Sequence, residues 1–451
     1  MAESQNLSIG FVPQRAPNAG DELCFELLDH QGIEYEIIEP ASHDSQRRYH
    51  VVLISRTSTD LIHIARERSF SDNHIISVDK VVRLDRVLGF LSGKEDQKPR
   101  DRLDLVVNDE ERKLRSVIRQ EFEKQGLPFV FKWFWPNFRR ACCILTHDID
   151  WLTYSPLHRA VFRGPLKPKK SLSLIKSGLL KKRDYGWNIP KTLELEKKYG
   201  LRSTFFFLTK YEANLMPIFK RSLELLKEQN SEIALHGYHA SHKNREALSS
   251  ELKTFSKNTG EKPAGLRYHI LKFRVPDSWV LESEAGLKYD ATFSYNEYYG
   301  FRSEICFPFH PFNGARLRII EIPTGFMDWT ALYRNTRGAK LTSKIKQIMG
   351  LVEGFNGAFV VNFHNTYLNP DTFGDIYSAY EDVLKSTTSR DYWICTAREC
   401  AEWWEYRSKM RLSPRLDRAG NVIVASESRI TLALERSDST VEQVKTTLNR
   451  Y

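Results

Sequence analysis

The 451-residue sequence is short of several features, and each shortage narrows what the chain can be. No run approaches the roughly 18 consecutive apolar residues of a membrane-spanning helix, so no such helix is expected. The first twenty residues have neither a basic start nor an apolar stretch, so no secretory signal is expected either. The six cysteines (Cys24, Cys142, Cys143, Cys306, Cys395 and Cys400) show no framework spacing, which points to reduced thiols in a cytoplasmic protein. Cys142 and Cys143 are adjacent on a strand-like segment, where successive side chains point to opposite faces. There is no internal repeat or low-complexity tract. No helix-turn-helix, zinc-finger or RNP pattern occurs, and the N-terminal part holds no Gly-rich phosphate loop.

What is present is an ordinary soluble mixture, 41% hydrophobic and 27% charged, with 12% aromatic residues. That aromatic content can fill a large core and also line a sugar-binding cleft. The formal charge is +10, and much of the excess lies in 167–183 and 407–418. A solvated basic insertion is the plain interpretation of 167–183. The sharper one is a surface for an anionic partner: a lipid headgroup, a diphosphate-linked precursor or an acidic polysaccharide. Nucleic acid is disfavoured, because the stretch lacks aromatic interleaving.

The length exceeds one ordinary core and predicts two or three domains. Residues 22–30, 60–68 and 110–125 carry apolar residues at helical spacing, between strand-like segments at 35–38, 51–55 and 75–78. This alternation predicts a small α/β domain with a largely parallel sheet over 1–136, of unassigned role. A second series follows over 137–410. Strands are expected at 142–145, 203–208, 233–235, 319–322 and 358–362, with helices at 190–199, 218–229, 372–386 and 396–407. Strand–helix units with polar groups at the strand C-termini are the layout of a (β/α) barrel, whose active site collects there. Residues 421–425 and 430–434 are expected to form a β-hairpin in an appended tail, 411–451.

Four clusters carry possible chemistry. Asp148 and Asp150, in Thr146-His147-Asp148-Ile149-Asp150, follow a buried strand directly. Paired carboxylates are costly unless a cation compensates them; one can bind a metal while the other takes a proton from water. The bland alternative is a helix cap or an Asx-turn. His236, His239 and His242 lie within seven residues and could face one ion, although such loops also occur without metal. His364, after a strand, suits a general acid, and Arg267 could orient the free carboxylate; a core histidine and a surface ion pair are the competing accounts.

The order of these motifs resembles the polysaccharide deacetylase superfamily (NodB homology, carbohydrate esterase 4) over roughly 139–407. The resemblance implies a distorted (β/α)7 barrel and a divalent metal, zinc first, with cobalt, nickel or manganese as alternatives. By the same resemblance Asp148 is the catalytic base and Asp150 a metal ligand. His236 is the first metal histidine, in Glu232-Ile233-Ala234-Leu235-His236-Gly237-Tyr238. Arg267 steadies the base, Asp290 belongs to the fourth motif and orients the acid, and His364 is that acid. Gly300-Phe301-Arg302, Met327-Asp328 and Trp403-Trp404 with Arg407 further resemble a surface-polysaccharide-associated subgroup, although barrel-closing core explains the aromatics equally. One departure stands out. The family places a second histidine four residues after the first, and position 240 is alanine. His239 is the preferred substitute, with His242 next and His269 as a further candidate.

The expected activity is metal-dependent hydrolysis of an N-acetyl or related acyl group. The expected substrate is an N-acylated sugar, a nucleotide sugar or a lipid-linked saccharide. Cytoplasmic placement is expected, with peripheral contact to an anionic membrane through 167–183. A catalytically silent glycan-binding protein and a small-molecule amide hydrolase are the alternatives.

Overall fold

The computed structural model describes residues 5–14, 18–39, 47–71, 74–95, 100–153, 187–211, 213–238, 240–424, 430–436, 438 and 440–444. The basic 167–183 stretch and His239 therefore lie outside the described residues.

The N-terminal unit is built on four parallel strands: β1 (Ile9–Val12), β2 (Glu36–Ile37), β3 (Val51–Ile54) and β4 (Ile75–Ser77), in the order β2-β1-β3-β4. Helix α1 (Ala19–His30) begins at Asn18, whose side chain accepts from Gly20 and Asp21 N–H while Asp21 reaches back to the cap. Helix α2 (Val106–Lys124) runs past the predicted 110–125 at its start and buries Leu114, Ile118 and Phe122. Ile9–Val12 carries no alternation that would mark it, because all four residues are buried. A parallel strand covered on both faces loses its polar side.

Strand β5 (Phe129–Lys132) leads into the second unit. Its strands are β6 (Ala141–Ile149), β7 (Thr204–Phe207), β8 (Glu232–Gly237), β9 (Gly265–Tyr268), β10 (Tyr289–Asp290), β11 (Ile320–Glu321), β12 (Phe326–Met327), β13 (Ala358–Asn362) and β14 (Tyr392–Cys395). Every pairing among them is parallel, in the order β11-β10-β9-β8-β7-β6-β13-β12, with β14 added on β6. The expected α/β barrel is thus present as a curled parallel sheet, with three of its strands only two residues long. Helices α3 (Ile189–Lys198), α4 (Pro370–Ser389) and α5 (Ala397–Lys409) are among its covers.

The nine-residue β6 is the spine of the sheet. Its lower half pairs with β14, its upper half with β7, and β13 runs along its other edge. All nine of its residues are buried, the polar Thr146, His147 and Asp148 included. Parallel pairing sends every strand C-terminus to one end, so Asp148, His236, Arg267 and Asn362 arrive on a common rim.

The two units share one interior. A single apolar cluster runs from Phe11, Leu27 and Phe131 through Trp135 and Trp404 to Cys142 and Phe206. Trp403 and Trp404 are buried core, and the Trp403 indole donates to the Phe134 carbonyl at 2.8 Å. Arg407 is fully buried and donates to three carbonyls, those of Asp29, Lys132 and Trp133, at 2.7–2.9 Å. It pins α5 to the N-terminal unit. Arg102 and Gly300 make a second junction, where Gly300 sits at φ +100° and a Cβ would fall 1.8 Å from the Arg102 carbonyl oxygen. Only glycine fits there.

The tail departs from expectation. Residues 421–425 and 430–434 do not pair with each other. Val422–Ile423 pairs with Arg415–Leu416, which in turn pairs with Gln5–Asn6. Strand β15 (Leu432–Glu435) instead joins β5 antiparallel, with Leu432 and Ala433 buried against it. The open edge of β5 offers backbone partners and apolar cover together, which a free-standing two-stranded hairpin lacks. The tail is therefore a part of the N-terminal unit.

Truncating Arg407 to alanine would remove a charged donor from three buried carbonyls, of which that of Asp29 keeps a backbone partner, the Gly32 N–H. The expected cost is about 3 kcal/mol or more, read from the urea midpoint. A loss under about 1 kcal/mol would show that Arg407 is not the pin between the units.

Candidate active site

Asp148 closes β6 on its buried side, and Asp150 follows at its mouth. The intervening residue, Ile149, is wholly buried. Alternation along the strand therefore puts both carboxylates on the rim side of the sheet. They have different neighbours.

Asp148 is paired with Arg267, whose Nη1 lies 2.9 Å from its Oδ1. The guanidinium is completely buried and every one of its nitrogens has a partner. Nη1 also donates to Thr146 Oγ1 at 2.8 Å, Nε to the Ala291 carbonyl at 2.9 Å, and Nη2 to Thr324 Oγ1 at 3.1 Å. The Phe206 ring lies 4.5 Å beneath it. Asn362 Nδ2 donates to the other oxygen of Asp148 at 2.8 Å. Burial works to raise the Asp148 pKa, but the Arg267 charge, with His236 and His364, outweighs it and holds the carboxyl below its usual range.

Asp150 faces two imidazoles. His236 Nε2 stands 3.1 Å from its Oδ1, and His269 Nε2 stands 3.6 Å from the same oxygen. One donor atom from each of the three lies within 4.8 Å of the others. His236 Nδ1 donates to the Arg267 carbonyl at 2.8 Å, which orients the ring with Nε2 turned toward Asp150. His269 sits just past β9, at a turn that holds Ile270 and Leu271 at φ +54° and +51°. Left-handed backbone at a β-branched residue costs roughly 1–2 kcal/mol. The chain bears that strain at the bend beside His269.

The structure thus supplies a third donor at a place different from the preferred one. His242 does not join the group; its ring packs 6.0 Å from the Tyr268 ring, centroid to centroid. A partner four residues along β8 is not needed, because β9 lies beside β8 with Arg267 in register with His236. The residue two beyond Arg267 then reaches the same ion-sized space.

Across the gap stands His364. Its Nε2 is 3.9 Å from Asp148 Oδ2 and 3.9 Å from Asp150 Oδ2. Asp328 holds it from behind, with Oδ1 2.6 Å from His364 Nδ1 and Oδ2 accepting the His364 backbone N–H at 2.7 Å. Asp290, expected in that place, is elsewhere. It lies fully buried beneath Thr292, accepting its N–H at 3.0 Å and its hydroxyl at 2.5 Å. Burial raises its pKa, outweighing the hydrogen bonds from Glu321 and Thr292 that act to lower it. The carboxylate behind His364 is Asp328 because β12 is the direct neighbour of β13, with Met327 opposite Asn362, whereas β10 lies five places away in the sheet.

His147 ties this rim together from below. Its Nδ1 donates to the Phe363 carbonyl at 2.8 Å, and its Nε2 meets Glu196 at 2.9 Å and the Tyr380 hydroxyl at 3.1 Å. Asn362, Thr324 and His147 were not identifiable as site residues in the sequence, since no charge, spacing or repeat singles them out. Met327-Asp328 was visible only through the resemblance.

Burial opposes a charge on His364, but the Asp328 carboxylate, helped by Asp150 and Asp148, lifts its pKa to about 9. In the metal-free protein, Asp328→Asn should lower the His364 titration by about one unit or more, followed by ¹⁵N NMR of the imidazole. An unchanged midpoint would remove Asp328 from this role.

No family model matches the sequence, and no curated protein does. Several solved structures match. A protein from Mycobacterium smegmatis assigned as a polysaccharide deacetylase aligns over 63% of this chain and 95% of its own, at 17% identity and TM-score 0.44. Puue allantoinase aligns over 60% of this chain and 92% of its own, at 17% identity and TM-score 0.45. A CE4 family pseudoenzyme from Bacillus anthracis aligns over 59% and 66%, at 13% identity and TM-score 0.33. No chemistry passes from proteins so distant to this chain, whose own side chains have to carry it.

Proposed function

We propose that this chain is a divalent-metal-dependent deacylase that hydrolyses an N-acetyl or related acyl amide on a sugar. The observation that carries the proposal is the meeting of three donors, Asp150, His236 and His269, between a paired carboxylate and a charged imidazole. Three protein donors with one side open is the usual catalytic arrangement for zinc, and the donor chemistry suits zinc, cobalt or nickel. The ring orientation of His236 fits that use, since its Nδ1 is committed to a backbone carbonyl.

A divalent cation held there supplies a Lewis acid toward an acyl carbonyl and toward water. The chain's own residues supply the proton transfers. Asp148, kept ionised by Arg267, accepts a proton from the attacking water. Asn362 and Arg267 hold its two oxygens, so the carboxylate cannot rotate away. His364 enters the reaction protonated and gives its Nε2 proton to the departing amine, while Asp328 stabilises the imidazolium and fixes the ring. Water adds across the C–N bond, leaving a free amine and a carboxylate such as acetate.

A silent, glycan-binding role was suggested by the alanine at position 240. His269, 3.6 Å from Asp150, supplies the donor that the alanine takes away. Among the described residues, no helix is long and apolar enough to cross a membrane. A cytoplasmic nucleotide sugar or a lipid-linked saccharide at the inner membrane face is the substrate we favour, with the basic 167–183 stretch suited to an anionic lipid surface. Acetate release from a panel of such sugars is the direct assay.

Asp148→Asn and His364→Ala should each lower kcat at least about 100-fold with the fold intact. Unchanged deacetylation in either variant would sink the scheme. Metal content separates the candidate ligands: His269→Ala and Asp150→Ala should each lose near-stoichiometric metal, and His242→Ala should keep it. Loss in His239→Ala together with retention in His269→Ala would reassign the third ligand.

A further inference from the structure

A second group of donors lies at the opposite end of β6. Cys142 is the second residue of that strand, Cys395 ends β14, and Cys400 faces them from the first turns of α5. All three are at least 99% buried, and their sulfurs lie within 4.8 Å of one another. The Cys142 and Cys395 sulfurs are 3.5 Å apart. Six residues of extended strand separate Cys142 from Asp148, roughly 20 Å, so this cluster is independent of the rim.

Two ordinary uses of neighbouring cysteines can be weighed against this geometry. A disulfide fits poorly. Cys142 pairs with Trp393 and Cys395 with Ile144, so the two cysteines are diagonal neighbours across a parallel pair. Diagonal strand neighbours have Cα atoms roughly 7–8 Å apart, beyond the span that a disulfide closes. Simple packing of small apolar side chains asks only that each thiol touch something apolar. It does not ask that three thiols, drawn from two strands and a helix, point at one another. Sulfurs around one ion with metal–sulfur bonds of about 2.3 Å are about 3.8–4.0 Å apart. One observed pair is at 3.5 Å and none exceeds 4.8 Å, close to that spacing.

We propose that Cys142, Cys395 and Cys400 form a buried structural site for a soft d10 cation, Zn2+ or Cu+, that staples β14 and α5 to β6. Thiolate sulfur selects these ions, whereas the rim site offers oxygen and imidazole. Each thiol proton released on binding offsets one unit of the cation's charge, and the positive N-terminal end of α5 faces any negative excess. Cys143 is the built-in control. It neighbours Cys142 in sequence but lies in the apolar cluster on the other face of β6.

The test uses the full chain carrying Asp150→Ala, purified under reductant and analysed for zinc and copper. About one equivalent of either metal is expected to remain, to vanish in the added Cys400→Ala variant, and to persist in the added Cys143→Ala variant. Zinc and copper recoveries distinguish the two ions. A titration of the wild-type chain with Cd2+ covers the case in which Cys400→Ala fails to fold. A sulfur-to-metal charge-transfer band saturating at one equivalent supports the site, whether or not the chain hydrolyses any amide. No retained metal together with no such band overturns it, as does equal metal loss from Cys143→Ala and Cys400→Ala.

Discussion

The buried ion pair between Arg267 and Asp148 is what the rest of the rim depends on. Asp148 and Asp150 are two residues apart at one strand end, and both are ringed by protein. Without a fixed cation, charge repulsion and desolvation would protonate one of them. Arg267 supplies that cation from β9, three places along the curled sheet, and its other bonds hold Thr146, Ala291 and Thr324 around it. A half-satisfied guanidinium there would cost more than it returned. Because each of its nitrogens is held, the two carboxylates keep different environments: one tied to a permanent cation, the other facing imidazoles.

The same dependence on complete partners recurs where the two units meet. Arg407 reaches three buried backbone carbonyls, those of Asp29, Lys132 and Trp133, where α5 meets the N-terminal unit. Its guanidinium is useful there because its donors are held in a rigid planar fork that spans three acceptors at once. The tail closes the edge of β5 by the same reasoning, with backbone pairing rather than a side chain. The N-terminal unit shares its core and its junctions with the barrel, and so bears on the barrel's stability whatever else it binds.

Much of the fold was legible. The segments at 51–55, 142–145, 203–208 and 358–362 are strands, and 110–125 and 396–407 are helices, because apolar periodicity and caps there agree with the final packing. Ile9–Val12 escaped, since a strand buried on both faces has no polar side to alternate with. The tail hairpin failed for a different reason. Two apolar runs in sequence suggest pairing with each other, yet the better partner for 432–435 lies three hundred residues earlier.

At the site the division is sharper. Asp148, Asp150, His236, Arg267 and His364 were identifiable from the sequence alone, because ionisable residues at the ends of apolar runs stand out and their order is informative. The third donor beside Asp150 and the carboxylate behind His364 were decided only by tertiary structure. Nothing local to position 240 says that His269 stands beside Asp150 and His236; the side-by-side register of β8 and β9 does that. Asp290 and Asp328 look alike as acidic residues after short apolar stretches. Strand order alone puts Asp328 next to His364 and buries Asp290 under Thr292. Sequence determines which groups can ionise or ligate, and the sheet's order and register decide which of them meet.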